Sequence, residues 1–321
     1  MKASRTLLFC LGTALAGAGS LFLAGCGQQE ENGESGASAD VEPVRLAYVE
    51  WSTEIASTHL VKAFFQEELG IPCRILPMQP RKMWAAVAEG TVDGMVSAWL
   101  PLTHEQYFAE FGGAVVDLGP NLEGTRLGLV VPEVKVGRQT GPTGKQNDPL
   151  VDVTSIPELA DHANRFNHAI IGIDPGAGIM HRTEEALKTY GLEDRFELIQ
   201  GDESSMVEAL LAAIRQQRWV VVTGWEPHWL FGRYSLRFLD DPENVYGKAE
   251  AIHTIVRNGL KEDRPEVYAA LDAFSWNKRQ MNQLMSWIQR DEGRFAYQNA
   301  IKWMEIHKEE VAAWVPSTTA R

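Results

Sequence analysis

The chain has 321 residues, a net charge of -13, 45% hydrophobic and 23% charged residues, the composition of a globular protein with room for two domains. An acidic balance with no Lys/Arg cluster or basic stripe offers phosphates no positive field, so nucleic acid is excluded as a partner. The cysteines, Cys10, Cys26 and Cys73, cannot build a disulfide framework in one chain.

At the N-terminus, Met1, Lys2 and Arg5 precede the apolar stretch Leu7 to Gly25, which ends in small residues directly before Cys26. Residues 1–25 read as an export signal. The alternative is an uncleaved membrane helix, since the stretch approaches the ~20 residues that span a bilayer. Both readings put the remainder outside the cytoplasm. Leu23-Ala24-Gly25-Cys26 is similar to a bacterial lipobox, which implies lipidation of Cys26 and a protein held at a membrane surface with its domains in water. Residues 26–43, polar, acidic and without aromatics, predict a flexible tether.

From Val44 onward, strand and helix signals alternate. "VRLAYVEW" predicts a strand, "IASTHLVKAFFQEELG" a helix stopped by Gly70, "CRILPM" a strand, "RKMWAAVAEG" a helix stopped by Gly90, "GMVSAWL" a strand and "LTHEQYFAEFG" a helix. "RLGLVVP" predicts a further strand, followed by a polar Gly/Pro-rich loop near 137–149. "SIPELADHA" opens a helix with a Ser-x-x-Glu capping pattern and an early proline. "HAIIGI", "RFELI" and "RWVVVTGW" predict strands separated by the helices "MHRTEEALKTYG" and "SSMVEALLAAIRQQ". "AIHTIVR" predicts a last strand, and helix follows from Pro265. Such alternation predicts an α/β fold with mostly parallel sheets flanked by helices. Cys73, beside a strand, reads as a packed apolar residue and not a reactive thiol.

The two halves repeat a layout. In the first, "YVEWSTEIAS" follows a strand and the Trp-x-Pro of Trp99 comes later; in the second, "GIDPGAGIM" follows a strand and the Trp-x-Pro of Trp225 comes after a nearly equal stretch. Each half therefore offers two loops at the carboxyl ends of strands, where open α/β sheets bind ligands. Two facing lobes would bring all four into one cleft.

Catalytic signatures are incomplete. "HEQYF" at His104 has Phe108 where a zinc protease needs its second histidine, "GPTGKQ" lacks the first glycine and the hydroxyl residue of a phosphate loop, and no nucleophile elbow is present. Neither a cofactor nor a protein-built metal site is expected.

Tryptophan is abundant, with ten residues. Trp84, Trp276, Trp287, Trp303 and Trp314 sit at helical spacing among apolar residues and predict packing. Trp51, Trp99 and Trp225 each end a strand, and their matched placement predicts a binding cage. Indole faces suit a cation that has no N–H to donate, at about 0.5–2 kcal/mol per contact. Three faces supply roughly 2–6 kcal/mol, short of the ~8 kcal/mol of micromolar binding, so a polar anchor is required. "DPGAGIM" can supply one through the backbone N–H groups of Gly178 and Ile179 at a helix start, although it also reads as a plain glycine turn. His104 can donate to the same anion, or be a surface histidine. A cation box with anion donors describes a zwitterion such as a betaine.

"LAYVEWSTEIAST", "SAWLPLTH", "LGLVVP", "GIDPGAGIM", "VVTGWEPHW", "LDDPENVYG" and "AIHTIVRNGL" resemble the glycine-betaine-binding proteins of bacterial ABC importers, over nearly all of the chain after the tether. That resemblance implies an aromatic box at Trp51, Trp99 and Trp225, and carboxylate contacts at Gly178, Ile179 and His104. It implies a two-lobed periplasmic-binding-protein fold of type II-like form with two crossover strands, "RLGLVVP" and "AIHTIVR". Lobe 1 would hold 44–130 plus 255–321 and lobe 2 would hold 131–254. The implied function is delivery of a betaine to an ABC permease for osmoprotectant uptake, with no chemistry. The loop near 137–149 departs from the family pattern. The alternatives are a receptor for choline, carnitine or another quaternary ammonium compound, an exported lipoprotein enzyme using His104 or His181 as general base, and a sensing or structural lipoprotein without a transporter.

Overall fold

A computed structural model describes residues 42–133 and 150–316. The signal segment, Cys26, nearly all of the tether and the loop near 137–149 lie outside the described residues. The elements in chain order are β1 (Val44–Tyr48), α1 (Ser52–Ala63), β2 (Cys73–Pro77), α2 (Pro80–Ala88), β3 (Gly94–Leu100), α3 (Glu105–Phe111) and β4 (Val115–Pro132). They continue with α4 (Leu159–His162), β5 (Ala169–Ile171), α5 (Gly178–Thr189), β6 (Glu197–Ile199), α6 (Glu203–Gln216), β7 (Val222–Glu226), α7 (Trp229–Arg233), β8 (Leu236–Phe238) and β9 (Glu250–Arg257). The helices α8 (Leu260–Asp263), α9 (Pro265–Ala273), α10 (Lys278–Arg290), α11 (Ala296–Ile306) and α12 (Lys308–Trp314) complete the described chain.

Two sheets share one long strand. The first runs β2-β1-β3-β9-β4, with β1 parallel to β2 and β3 and β9 antiparallel to its neighbours. The second runs β4-β7-β5-β6, with β5 parallel to β6 and β7, and β8 attached to the far end of β4. Continuous apolar runs form the central strands because both faces are covered; all seven residues of β3 are buried. The helix begun by α1 continues through a π-helical turn at Phe64–Glu68, and Gly70 follows it with a φ of +65°.

β4 corrects one expectation. "RLGLVVP" is only the end of an 18-residue strand, whose earlier part reads as loop because of Gly119, Pro120 and Gly124. Register shifts at Asp117/Pro120, Pro120/Leu122 and Glu123/Thr125 absorb those residues, as bulges do in antiparallel ladders. β4 pairs with β9 up to Thr125 and with β7 from Arg126, so it passes from one sheet to the other at 125/126. The return runs through 239–249, and β9 pairs within the first sheet from Glu250 onward.

The Ser-x-x-Glu pattern does not close a capping box: Glu158 itself stands at the N-cap of α4 without a side-chain cap bond, and its carboxylate instead accepts from Thr154 N–H at 3.0 Å and from Ser155 Oγ at 2.7 Å, closing the turn before the helix. The α-helix it precedes is short, only Leu159–His162. Trp84, Trp303 and Trp314 are fully buried and Trp276 is buried, with Trp287 half-buried against them, so these five pack as predicted. Cys73 is buried too, and burial pushes its thiol up to about 12, which leaves it unreactive.

Candidate functional site

The loops at the carboxyl ends of β1, β3, β5 and β7 meet where the two sheets face each other. Trp51 stands at the N-cap of α1, just beyond β1. Trp99 lies near the end of β3, and Trp225 lies in β7 opposite Leu127 of β4. Both Trp-x-Pro segments carry a cis X-Pro bond, Leu100–Pro101 and Glu226–Pro227. Trp51, Trp99, His104, Gly178, Ile179 and Trp225 line one small cavity, together with Thr53, Thr103, Leu127, Ile173 and Ala177. All six residues singled out by sequence are thus brought together. None of these lining residues is acidic, lysine or arginine.

The polar end of the cavity is built from a helix start without a cap of its own. Ala177 at the N-cap of α5 gives no side-chain hydrogen bond. Met180 N–H reaches Ala177 O at 3.0 Å, while the N–H groups of Gly178 and Ile179 have no partner among the described residues. Orphan donors at a helix N-terminus, reinforced by the helix dipole, favour an anion.

His104 is buried and neutral. Burial pushes its pKa down to about 3, and Trp99 N–H donates to its Nδ1 at 3.2 Å. An accepting Nδ1 leaves the proton on Nε2, so the ring presents a single fixed donor. The rings of Trp84 and Tyr107 meet it edge-on, with centroids at 6.0 and 5.8 Å. Glu250, at the start of β9, sets the turn before it by accepting from the Leu102 and Thr103 N–H groups and the Thr103 hydroxyl. His181 lies elsewhere, half exposed on α5 beside Glu184 and Glu185.

Direct contacts join the halves around the cavity. Trp51 Nε1–H donates to Asp174 Oδ2 at 2.8 Å, and Tyr107 OH donates to Gly176 O at 2.6 Å. Arg182 Nη2 reaches Leu102 O at 3.1 Å and Glu105 Oε2 at 2.5 Å. Helix α1 has no side-chain cap from Trp51; the carboxylate is supplied by the opposite half, where Glu203 Oε2 accepts from Ser52 N–H at 2.8 Å and Oε1 accepts from the Ser52 hydroxyl. Leu230 N–H donates to His228 Nδ1 at 3.2 Å, so His228 Nε2–H is the donor to Glu203 Oε1 at 3.1 Å. Burial acts to raise the Glu203 pKa, but His228 and the Ser52 hydrogen bonds outweigh it and hold the carboxyl below its ordinary value.

Sequence reasoning missed Thr103, Asp174, Glu203 and Glu250. Asp174 and Thr103 had a signal, because they stand inside "GIDPGAGIM" and "SAWLPLTH". Among the described residues no cluster of three or more His, Cys, Asp or Glu is placed to hold a metal, and no helix is long and apolar enough to cross a membrane.

Residues 42–305 match the family described as the substrate binding domain of ABC-type glycine betaine transport system, OpuAC. The chain is 44% identical over 155 residues to the glycine betaine/carnitine transport binding protein GbuC of Listeria monocytogenes, covering 48% of this chain and 51% of that protein. It therefore spans about half the length of that curated relative. Among solved structures, the glycine/betaine/L-proline-binding protein ProX from Borrelia burgdorferi is 36% identical, with a TM-score of 0.78 over 86% of this chain and 97% of that one. Lactococcal OpuAC, in a closed-liganded conformation with glycine betaine, is also 36% identical, with a TM-score of 0.75 over 86% of this chain and 100% of that one.

Proposed function

The chain belongs to the family of substrate-binding domains of ABC-type glycine betaine transport systems, and from that premise we propose that it captures glycine betaine or a related betaine and delivers it to an ABC permease. The observation that carries this reading is a cavity with three indoles at its walls, N–H donors from Gly178, Ile179 and the neutral His104, and no acidic, lysine or arginine side chain in its lining. A methylated ammonium gains from the indole faces. Its carboxylate then takes the donors, at about 1.5–3 kcal/mol for each hydrogen bond to a charged group. A ligand that brings both charges needs no counter-charge from the protein, which favours a betaine over choline, a bare cation with a hydroxyl. Carnitine is also a zwitterion and fits the same logic; the Listeria relative is named for both ligands.

The contacts between halves give the receptor its mechanism. Trp51, Trp99 and His104 come from one half while Gly178, Ile179 and Trp225 come from the other, so the cage is complete only when the halves meet. Ligand binding thereby stabilises a shape that a permease can read. The protein performs no chemistry on its ligand. We further propose an extracytoplasmic location, with Cys26 lipidated after removal of the signal and the folded part held at the membrane surface.

Calorimetric titration of the purified protein with glycine betaine, proline betaine, carnitine and choline tests the reading. Glycine betaine should bind at least tenfold more tightly than choline. Tighter binding of choline, or no heat with any betaine, would overturn it.

A further inference from the structure

We propose that Asp174 is a specificity-determining residue of this receptor: its carboxylate, bonded to the Trp51 indole N–H from the opposite half, strengthens that cage wall toward a cationic head group. The inference rests on the betaine reading of the cavity. Trp51 is held by its backbone, with its N–H on Val49 O at 2.8 Å and its carbonyl accepting from Ile55 N–H at 2.8 Å. Its side chain faces two spaces. One is the ligand cavity, and the other is a wider cleft between the halves that Asp174 also lines.

Among the described hydrogen bonds, Trp51 is the one cage indole whose N–H meets a carboxylate, at 2.8 Å. A charge-assisted bond of this kind shifts electron density toward the ring and deepens the negative potential over its faces. The gain falls on a positively charged ligand and not on an uncharged group of equal shape. The same bond also fixes the indole plane, and because Asp174 follows β5 while Trp51 follows β1 it forms only when the halves meet. Glu50, Lys82, Asp202 and Glu203 line the cleft as well, so the general field of the cleft must be separated from the bond to Trp51.

The test compares glycine betaine with 3,3-dimethylbutanoate, which replaces the quaternary nitrogen by carbon and keeps the carboxylate. Both are titrated into the wild-type protein, Asp174→Asn, Asp174→Ala and Asp202→Asn. Asn at 174 keeps an acceptor for the indole N–H but loses the charge. Asn at 202 makes the same charge change in the same cleft and keeps an effective N-cap for α6, whose capping box Asp202 provides.

The expected result is a betaine-to-isostere affinity ratio at least threefold lower in Asp174→Asn, lower still or equal in Asp174→Ala, and unchanged within twofold in Asp202→Asn. An unchanged ratio in Asp174→Asn, including a parallel loss for both ligands, would overturn the proposal, as would an equal fall in Asp202→Asn. Failure of the wild-type protein to bind glycine betaine would instead overturn the betaine reading itself, and the proposal with it.

Discussion

Gly178 and Thr103 touch so closely across the two halves that a Cβ on Gly178 would stand 1.8 Å from the Thr103 carbonyl oxygen and 2.6 Å from its carbon. Backbone cannot yield as a flexible side-chain tip does, so any residue other than glycine forces the halves apart. Gly178→Ala should leave unfolding of the free protein unchanged and weaken glycine betaine binding at least tenfold, since the Gly178 donor and the His104 donor no longer converge. Wild-type titration of this variant would refute that account of the contact.

Trp225→Ala tests the cage directly. Trp225 belongs to β7, which pairs with β4 through backbone hydrogen bonds that alanine preserves. Loss of one indole face should weaken glycine betaine at least tenfold, from the cation–π contact together with the water admitted, while the far-ultraviolet circular dichroism stays unchanged. Near-normal affinity in a folded variant would remove Trp225 from the cage.

The legible and illegible parts of this site differ in kind. Trp51, Trp99 and Trp225 could be read because a large aromatic at a strand end, repeated in two halves, is a local pattern with a tertiary consequence. Gly178, Ile179 and His104 could be read as donors for similar reasons, from glycines before a helix and a histidine after a proline turn. Asp174 and Glu203 meet Trp51 and Ser52 across 123 and 151 residues of chain, and acidic residues beside helix starts are ordinary on any surface. Only the closed arrangement of the halves makes them partners. The strand β4 was hidden for a local reason, since Gly119, Pro120 and Gly124 look like loop until bulges accommodate them. The helix-covered sheets were legible because strands such as "GMVSAWL" are apolar on both faces, but the sheets are mixed and not mostly parallel, since β9 pairs antiparallel with β3 and β4, and β4 with β7, pairings that an apolar run does not reveal.

His104 carries a pH signature. Its folded pKa is pushed by burial from 6.5 down to about 3, below the unfolded value, so its contribution to stability is complete above pH 6.5. As pH falls toward 3 the unfolded state takes up a proton that the folded state refuses, and about 1.4 kcal/mol is lost per pH unit. The stability difference between wild type and His104→Ala should therefore shrink by about 2 kcal/mol between pH 7 and pH 5, read by urea unfolding at each pH. Glycine betaine affinity of the wild type should stay flat over this range, because the ring remains neutral. A stability difference that does not change with pH would show that the histidine is not held neutral.

Glu54 has the opposite sign and a related purpose. Burial in α1, next to Thr53 of the cavity lining, pushes its carboxyl from 4.5 up to about 8, with the Val49 N–H at 2.6 Å opposing the shift and the Glu203 charge adding to it. Its buried Oε1 has no hydrogen-bond partner, so at neutral pH the folded protein keeps this group protonated while the unfolded chain ionises it. Stability from Glu54 is complete below pH 4.5 and is lost as pH rises toward 8, because the folded pKa lies above the unfolded one. Glu54→Gln keeps an acceptor for Val49 N–H and removes the titration. Relative to wild type it should gain on the order of 3 kcal/mol of stability between pH 5 and pH 8, measured by urea unfolding. A constant difference between the two proteins would mean that Glu54 is ionised in the fold, placing a second negative charge beside Glu203 and close behind a cavity whose lining is otherwise uncharged.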